Sequence, residues 1–147
     1  MAQLAYGAAH ILVVEDDPAD VRFMRQAFEE SQLAARLAVV SNGVQALQYL
    51  HRSGSYRDAP RPDLVLLDLH VPKKNGHEVL AETKSDPELR FIPVVVLTTS
   101  DDEEDVAEAY GLHANCYVTK PFELDRFVEV IQAIERFWLR IARLPAS

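Results

Sequence analysis

Short apolar blocks alternate with longer amphipathic segments along the whole chain. The blocks are rich in β-branched residues and predict strands, whereas the segments between them carry the three-to-four-residue apolar spacing of helices. The predicted strands are 11–14, 37–40, 64–67, 92–97 and 116–119, and the predicted helices are 18–31, 43–52, 76–86, 101–112 and 122–142. Five strand–helix units in succession predict an α/β fold, with a five-stranded parallel sheet that is doubly wound, so that helices cover both faces.

The same pattern predicts a single domain over residues 1–147, with no linker and no output domain. Residues 1–9 are expected to form an N-terminal tail, and the last helical region is expected to extend over 122–144. The connection 52–62 contains a glycine and two prolines, which predicts an exposed loop before the third strand.

Charge and composition exclude several classes of protein. The chain has 15 Lys and Arg against 23 Asp and Glu, a net charge of −8, so we expect no nucleic acid partner. No apolar run approaches the roughly 20 residues that span a bilayer, and we expect no membrane partner. The single cysteine, Cys116, cannot close a disulfide within the chain, which favours a reducing compartment and a cytoplasmic location.

Polar and charged side chains follow the predicted strands where each strand ends. Glu15 and Asp16 follow the first strand, Asp68 the third, Thr98 the fourth and Lys120 the fifth. Because the carboxyl ends of parallel strands meet at one edge of the sheet, we expect these side chains to converge. Clustered carboxylates repel one another unless a hard cation neutralises them, and Mg²⁺ prefers such oxygen ligands. Lys120 would then supply a positive charge, and Thr98 a hydroxyl, for a phosphoryl group.

Neighbouring acidic residues have simpler interpretations. Asp17 precedes Pro18 and is expected to cap the first helix. Ser100 and Glu103 have the spacing of a capping box, and the acidic residues 101–105 suit the N-terminus of a helix. The five glycines are too scattered for a phosphate-binding glycine loop.

Taken in order, these motifs resemble the receiver domain of two-component response regulators. The resemblance covers roughly residues 10–140 and is carried by Val13-Val14-Glu15-Asp16-Asp17, Leu67-Asp68-Leu69-His70-Val71-Pro72 with Gly76, Thr98, and Tyr117-Val118-Thr119-Lys120-Pro121-Phe122. It implies a flavodoxin-like (βα)5 fold. It also implies that Asp68 accepts a phosphoryl group from a histidine kinase and that hydrolysis later removes the group.

The family resemblance assigns a role to each site residue. It implies Mg²⁺ bound by Asp68, by Asp16 directly, by Glu15 through water and by the main-chain carbonyl of His70. It implies that Thr98 and Lys120 contact the phosphoryl group, that Tyr117 is the switch aromatic and that the Lys120–Pro121 bond is cis. Rotation of Tyr117 would alter the surface formed by the fourth helix, fifth strand and fifth helix. The loop before the third strand and the Phe137-Trp138-Leu139 stretch are similar to regulators paired with bacterial phytochromes, which implies a sensor histidine kinase of that type.

Three other functions remain open at this point. A Mg²⁺-dependent phosphatase could use Asp68 as its nucleophile, although His70 stands where such enzymes usually carry a second Asp. A flavodoxin-like cofactor binder would need a glycine- or hydroxyl-rich loop after the first strand, where this chain has acids. A pseudo-receiver would signal by binding alone, without phosphorylation.

The last helix carries more apolar residues than one buried face needs. Its principal stripe is Phe127, Ile131, Ile134, Trp138 and Ile141, which is expected to face the sheet. Further apolar residues, among them Val130, Phe137 and Leu144, widen the arc to about 220° at the angular spacing of a helix. The excess predicts a symmetric homodimer through this region. The alternative is that Phe137 and Leu144 fold back on their own domain.

Overall fold

The computed structural model describes residues 9–31 and 35–145. Its elements are β1 (Ala9–Val14), α1 (Pro18–Glu29), β2 (Ala35–Val40), α2 (Gly43–Leu50), β3 (Leu64–Leu67), α3 (Gly76–Ser85), β4 (Val94–Thr98), α4 (Glu103–Gly111), β5 (Cys116–Thr119) and α5 (Leu124–Arg136). The five strands form one sheet in the order β2-β1-β3-β4-β5, and every neighbouring pair is parallel. The predicted fold class is confirmed. No helix within the described ranges is long and apolar enough to cross a membrane.

Buried side chains alternate between the two faces of the sheet. Leu12 and Val14 belong to a core that includes α2, α3 and part of α4, whereas Ile11 and Val13 belong to a second core with α1 and α5. This alternation follows from the two-residue period of a strand. The central strands are therefore apolar on both faces, and their polar chemistry is confined to their ends.

Strand boundaries differ slightly from prediction. The tail predicted at 1–9 is one residue too long, because β1 begins at Ala9, and residues 1–8 lie outside the described part of the chain. Strand β4 begins two residues later than predicted and ends at Thr98. Thr98 is thus the last residue of the strand, at the edge where the acidic residues were expected.

One of the two helix caps was predicted correctly. Asp17 caps α1 by accepting a hydrogen bond from the Ala19 backbone N–H at 2.9 Å. The capping box of Ser100 and Glu103 is wrong, because α4 begins at Glu103 and its cap is Asp102. Ser100 lies two residues ahead of that cap, and its hydroxyl donates to Asp105 at 2.6 Å instead.

The C-terminal helix changes its winding before it ends. After α5, residues Phe137–Ile141 form a π-helical turn, in which the Ala142 N–H donates to the Phe137 carbonyl. This wider turn shifts the side chains that follow around the axis. Leu139 is buried with 1% exposed, whereas Ile141 is 67% exposed, so the prediction that Ile141 faces the sheet is wrong.

The turn also changes which residues are available to a partner. The first part of the predicted stripe, Phe127, Ile131 and Ile134, is buried in the second core as expected. Leu144 folds back into the same core, and Val130 packs partly against it. Phe137 remains 48% exposed. The apolar surface left uncovered is therefore narrower than the sequence pattern indicated.

Candidate functional site

Asp68 stands at the centre of the site, directly after the central strand β3. Its backbone N–H donates to the Val14 carbonyl at 3.0 Å, which fixes it beside the end of β1. The residue is buried. One carboxylate oxygen accepts the His70 backbone N–H at 2.9 Å, and the other accepts the Lys120 ammonium at 2.8 Å.

The two acids after β1 have different environments. Glu15 is 2% exposed, accepts the Asp17 N–H at 3.1 Å and forms an ion pair with Lys120. Asp16, the next residue, is exposed at the rim of the site. Both residues were predicted as ligands at the end of the first strand, but the fold buries Glu15 against Lys120 and leaves Asp16 exposed to solvent.

Lys120 connects three separate elements of the fold. Its backbone N–H donates to the Thr98 carbonyl at 2.7 Å, which extends the pairing of β5 with β4. Its buried ammonium contacts Glu15, Asp20 at 2.8 Å and Asp68 at 2.8 Å. An ammonium has three N–H donors, so each can meet one carboxylate.

Asp20 is the contact that the sequence analysis missed. It lies in the first turn of α1, where an acidic residue is ordinarily explained by the helix dipole. Only the tertiary fold brings it to Lys120, which directly follows β5 and is 100 residues away along the chain.

The predicted cis bond before Pro121 is wrong. Throughout residues 9–31 and 35–145 the peptide bonds are trans, including Lys120–Pro121. Trans is the ordinary state of roughly 95% of X–Pro bonds in folded proteins. The Lys120 ammonium reaches all three carboxylates with the trans bond in place.

Burial and pairing shift the ionisation of the cluster in different directions. Burial raises the pKa of Glu15 to about 7, although the nearby Lys120 ammonium lowers it. Burial also raises the pKa of Asp68, but the His70 N–H and the Lys120 ammonium outweigh it, so that pKa lies below its usual value. Burial lowers the pKa of Lys120, yet its carboxylate partners more than compensate and the net shift is upward. Asp68 is therefore the ionised carboxylate and Lys120 the ionised ammonium at neutral pH.

Thr98 supplies a hydroxyl that is buried without a partner. The residue is fully buried, and its side-chain oxygen makes no hydrogen bond within the described part of the chain. Buried hydroxyls are normally satisfied, so an unpaired one at a strand end suggests a site for a polar ligand. Together with the acids, it gives the site both donors and acceptors.

A hydrogen-bond network leads away from the site toward α4. The Tyr117 hydroxyl donates to the Ser100 carbonyl at 2.8 Å, and the Ser100 hydroxyl donates to Asp105. His77 on α3 lies 3.3 Å from Glu108 on α4, and the two form a group of potential ligands with Asp105. The spacing of the histidines along the chain does not predict this cluster, because its members lie on two helices.

Close backbone packing holds the loop after Asp68. A Cβ added at Gly76 would lie 2.5 Å from the Leu69 Cα and 2.6 Å from the Asp68 carbonyl oxygen. A Cβ at Gly43 would lie 1.9 Å from the Lys74 carbonyl oxygen. Both glycines are required by this packing, which fixes the loop that carries His70.

The donor set fits a hard divalent cation. Glu15 and Asp68 meet at this edge of the sheet through Lys120. Asp16 follows Glu15 and is exposed to solvent, and His70 lies two residues beyond Asp68. Oxygen-only ligands of this kind suit Mg²⁺ or Mn²⁺. A single ammonium, Lys120, cannot neutralise all of these acids, so the site retains net negative charge.

Comparison with known proteins gives consistent matches over almost the whole chain. Residues 11–132 match the family model of the response regulator receiver domain. The chain is 47% identical to response regulator Rcp1 of Synechocystis sp. over 137 residues, which cover 93% of each chain. The fold is similar to the phosphorylated cyanobacterial phytochrome response regulator RcpA, with a TM-score of 0.93, 47% identity and coverage of 95% and 100% of the two chains. It is also similar to the Mn²⁺-bound form of Rcp1, with a TM-score of 0.90, 47% identity and coverage of 94% and 99%.

Proposed function

The chain belongs to the response regulator receiver family, and from this premise we propose that Asp68 accepts a phosphoryl group from a phosphohistidine on a sensor histidine kinase. The observation that carries the proposal is the direct contact, at 2.8 Å, between the Asp68 carboxylate and the buried Lys120 ammonium. The pair supplies an ionised nucleophile and a fixed positive charge at the same point.

The transfer needs little covalent chemistry from the protein. A lone pair on an Asp68 oxygen forms the new P–O bond as the P–N bond to the donor histidine breaks, and the imidazole keeps the electrons of that bond. Because the pKa of Asp68 is lowered, the carboxylate is ionised at neutral pH. Lys120 stabilises the charge on the phosphoryl oxygens, and the unpaired Thr98 hydroxyl is available to donate to one of them.

We propose that Mg²⁺ is held by Glu15, Asp16, Asp68 and the His70 carbonyl. When bound, the cation neutralises negative charge on the carboxylates and on the phosphoryl oxygens. The Mn²⁺-bound form of the 47%-identical Rcp1 supports a divalent cation in this family.

The switch proposed here runs from Thr98 to Tyr117. Ser100 lies two residues beyond Thr98, and its carbonyl accepts the Tyr117 hydroxyl. A phosphoryl oxygen that draws in Thr98 would shift that carbonyl and release the tyrosine. The surface formed by α4, β5 and α5 would then repack. Phosphorylation must favour the active packing by on the order of 5 kcal/mol to move most molecules into it.

The partner proposed for this chain is a sensor histidine kinase of the phytochrome type. The support is the 47% identity to a phytochrome response regulator over nearly all of both chains. We also propose a cytoplasmic location, where ATP, the phosphoryl source of such kinases, is available.

Mass spectrometry tests the phosphoacceptor. The wild type, Asp68→Asn and the surface control Asp58→Asn are incubated with acetyl phosphate and Mg²⁺, and the intact masses are compared. We expect one phosphate on the wild type and on the control and none on Asp68→Asn. Sustained release of phosphate from many esters would favour the Mg²⁺-dependent phosphatase. A wild type that takes up no phosphate, even from a kinase, would favour the pseudo-receiver.

A second part of the proposal is a homodimer through the C-terminal helix. Phe137 and Ile141 form an exposed apolar surface on the π-helical turn. Val130, the other residue predicted for this interface, is partly buried against the second core. Leu144 is buried in its own domain and does not contribute exposed area. Sedimentation of Phe137→Glu tests the dimer, with Phe122→Glu as a control because Phe122 is 96% exposed elsewhere. A Phe137→Glu mass equal to that of the wild type would remove the hypothesis.

A further inference from the structure

Asp20 contacts the Lys120 ammonium of the site but belongs to none of the motifs that identify the site. We propose that Asp20 is a positioning residue, which holds the Lys120 ammonium where it meets a phosphoryl group on Asp68. The inference rests on the proposed function and adds a residue to it.

The contact is short and largely shielded from solvent. The Lys120 ammonium lies 2.8 Å from an Asp20 carboxylate oxygen, with 3% of the Lys120 side chain and 19% of the Asp20 side chain exposed. Lysine has a flexible four-carbon stem, so its ammonium is well placed only if several acceptors fix it. Here the acceptors come from the ends of β1 and β3 and from the first turn of α1.

Asp20 differs from the other two acceptors in what the reaction does to it. Asp68 gives up carboxylate charge when it forms the bond to phosphorus, and a phosphoryl oxygen must replace it as a partner of Lys120. Glu15 is one of the proposed cation ligands, so its charge is shared. Asp20 is neither nucleophile nor proposed ligand. It is the acceptor that stays unchanged from the free to the phosphorylated protein.

A purely structural role would give a different result. Asp20 lies in the first turn of α1, where a carboxylate stabilises a helix whatever it contacts. In that case its removal would lower the melting temperature and leave the rate constant of the folded protein unchanged. A positioning role predicts that the rate constant itself falls, because small displacements of a charge-stabilising group slow the transfer strongly.

The experiment measures phosphorylation by acetyl phosphate at saturating Mg²⁺, at a temperature where circular dichroism shows each protein folded. We expect the maximal rate constant of Asp20→Ala to be about 10- to 100-fold below that of the wild type. The acetyl phosphate concentration at half-maximal rate should change by less than about threefold. Asp20→Asn keeps an acceptor and should recover part of the rate. Glu29→Gln removes an exposed carboxylate from the same helix and should react at the wild-type rate.

A binding measurement separates positioning from cation ligation. Titration with Mn²⁺ should give dissociation constants for Asp20→Asn and the wild type within about threefold of each other, whereas loss of a metal-site residue typically costs 10- to 100-fold in affinity. A loss of Mn²⁺ affinity as large as the loss of rate would overturn the inference, because Asp20 would then be a cation ligand.

The two proposals fail in different ways. Wild-type protein that takes up phosphate while Asp20→Ala matches its rate overturns the inference alone. If Asp20→Ala does not fold, the comparison is made with Asp20→Asn, and a rate within about twofold of the wild type overturns the inference. Wild-type protein that takes up no phosphate overturns the proposed function and the inference with it.

Discussion

The buried carboxyl of Glu15 should make the protein less stable as the pH rises toward neutrality in the absence of divalent cations. Burial raises its pKa from 4.5 to about 7 in the folded state. Between these values the folded protein holds a proton that the unfolded chain releases. The stabilising contribution of the protonated group is therefore complete below about pH 4.5 and is lost as the pH rises through about 7.

The size of the effect follows from the two pKa values. An interval from 4.5 to about 7 corresponds to about 3 kcal/mol in the free energy of unfolding. Glu15 is only 2% exposed, so solvent screening does not reduce this free energy much.

The other shifted groups of the cluster act in other pH ranges. The lowered pKa of Asp68 adds stability that is lost as the pH falls below its ordinary value of 3.8, and the raised pKa of Lys120 adds stability that is lost above 10.5. Both lie outside the window in which Glu15 titrates.

Urea unfolding of Glu15→Gln in the presence of a chelator measures this contribution. The glutamine keeps an acceptor for Lys120 but cannot titrate. From about pH 5 to about pH 8, the wild type should lose about 2 to 3 kcal/mol more of its free energy of unfolding than the variant does. Glu29→Gln, which removes an exposed carboxylate, should follow the wild type. Parallel pH profiles for the wild type and Glu15→Gln would refute the reasoning.

Three further predictions concern packing and cation binding. Gly43→Ala should destabilise the protein by about 3 kcal/mol in thermal or urea unfolding, because its Cβ would overlap a backbone carbonyl at 1.9 Å. Gly111→Ala, where a Cβ meets nothing within 4 Å, should be neutral or stabilising by up to about 1 kcal/mol, and equal losses at the two sites would contradict this. Leu139→Ala should cost about 2–5 kcal/mol and Ile141→Ala less than about 1 kcal/mol, and the reverse order would disprove the π-helical turn. If Glu15 must lose its proton for Mg²⁺ to bind, the affinity measured by calorimetry should fall up to about tenfold per pH unit below about 7, and a flat profile would exclude that role.

The central part of the site was predictable because it depends on local patterns. The apolar blocks fix where each strand ends, and parallel strands bring those ends to one edge. Asp68, Glu15 and Lys120 therefore converge as expected, and the ammonium contacts both acids. The N-cap at Asp17 was predictable for a similar reason, because it depends on a few adjacent residues.

Other features depend on contacts between distant parts of the chain. Asp20 reaches Lys120 across 100 residues, because the fold places the first turn of α1 beside the residue that follows β5. His77 meets Glu108 because α3 and α4 are neighbours. In neither pair does the spacing of the two residues along the chain predict that they are in contact.

The amino-acid sequence by itself determined the order of the strands and helices along the chain, the two-sided core and the strand ends at which the chemistry lies. These features follow from the periodicity of the apolar residues, which is a local pattern that can be read from the sequence. Only the tertiary structure decided that Asp16 faces solvent while Glu15 is buried, that Asp20 joins the cluster, and that a π-helical turn buries Leu139 in place of Ile141. These features depend on the exact angle at which elements pack, which is set by the whole set of contacts and by no short stretch of residues.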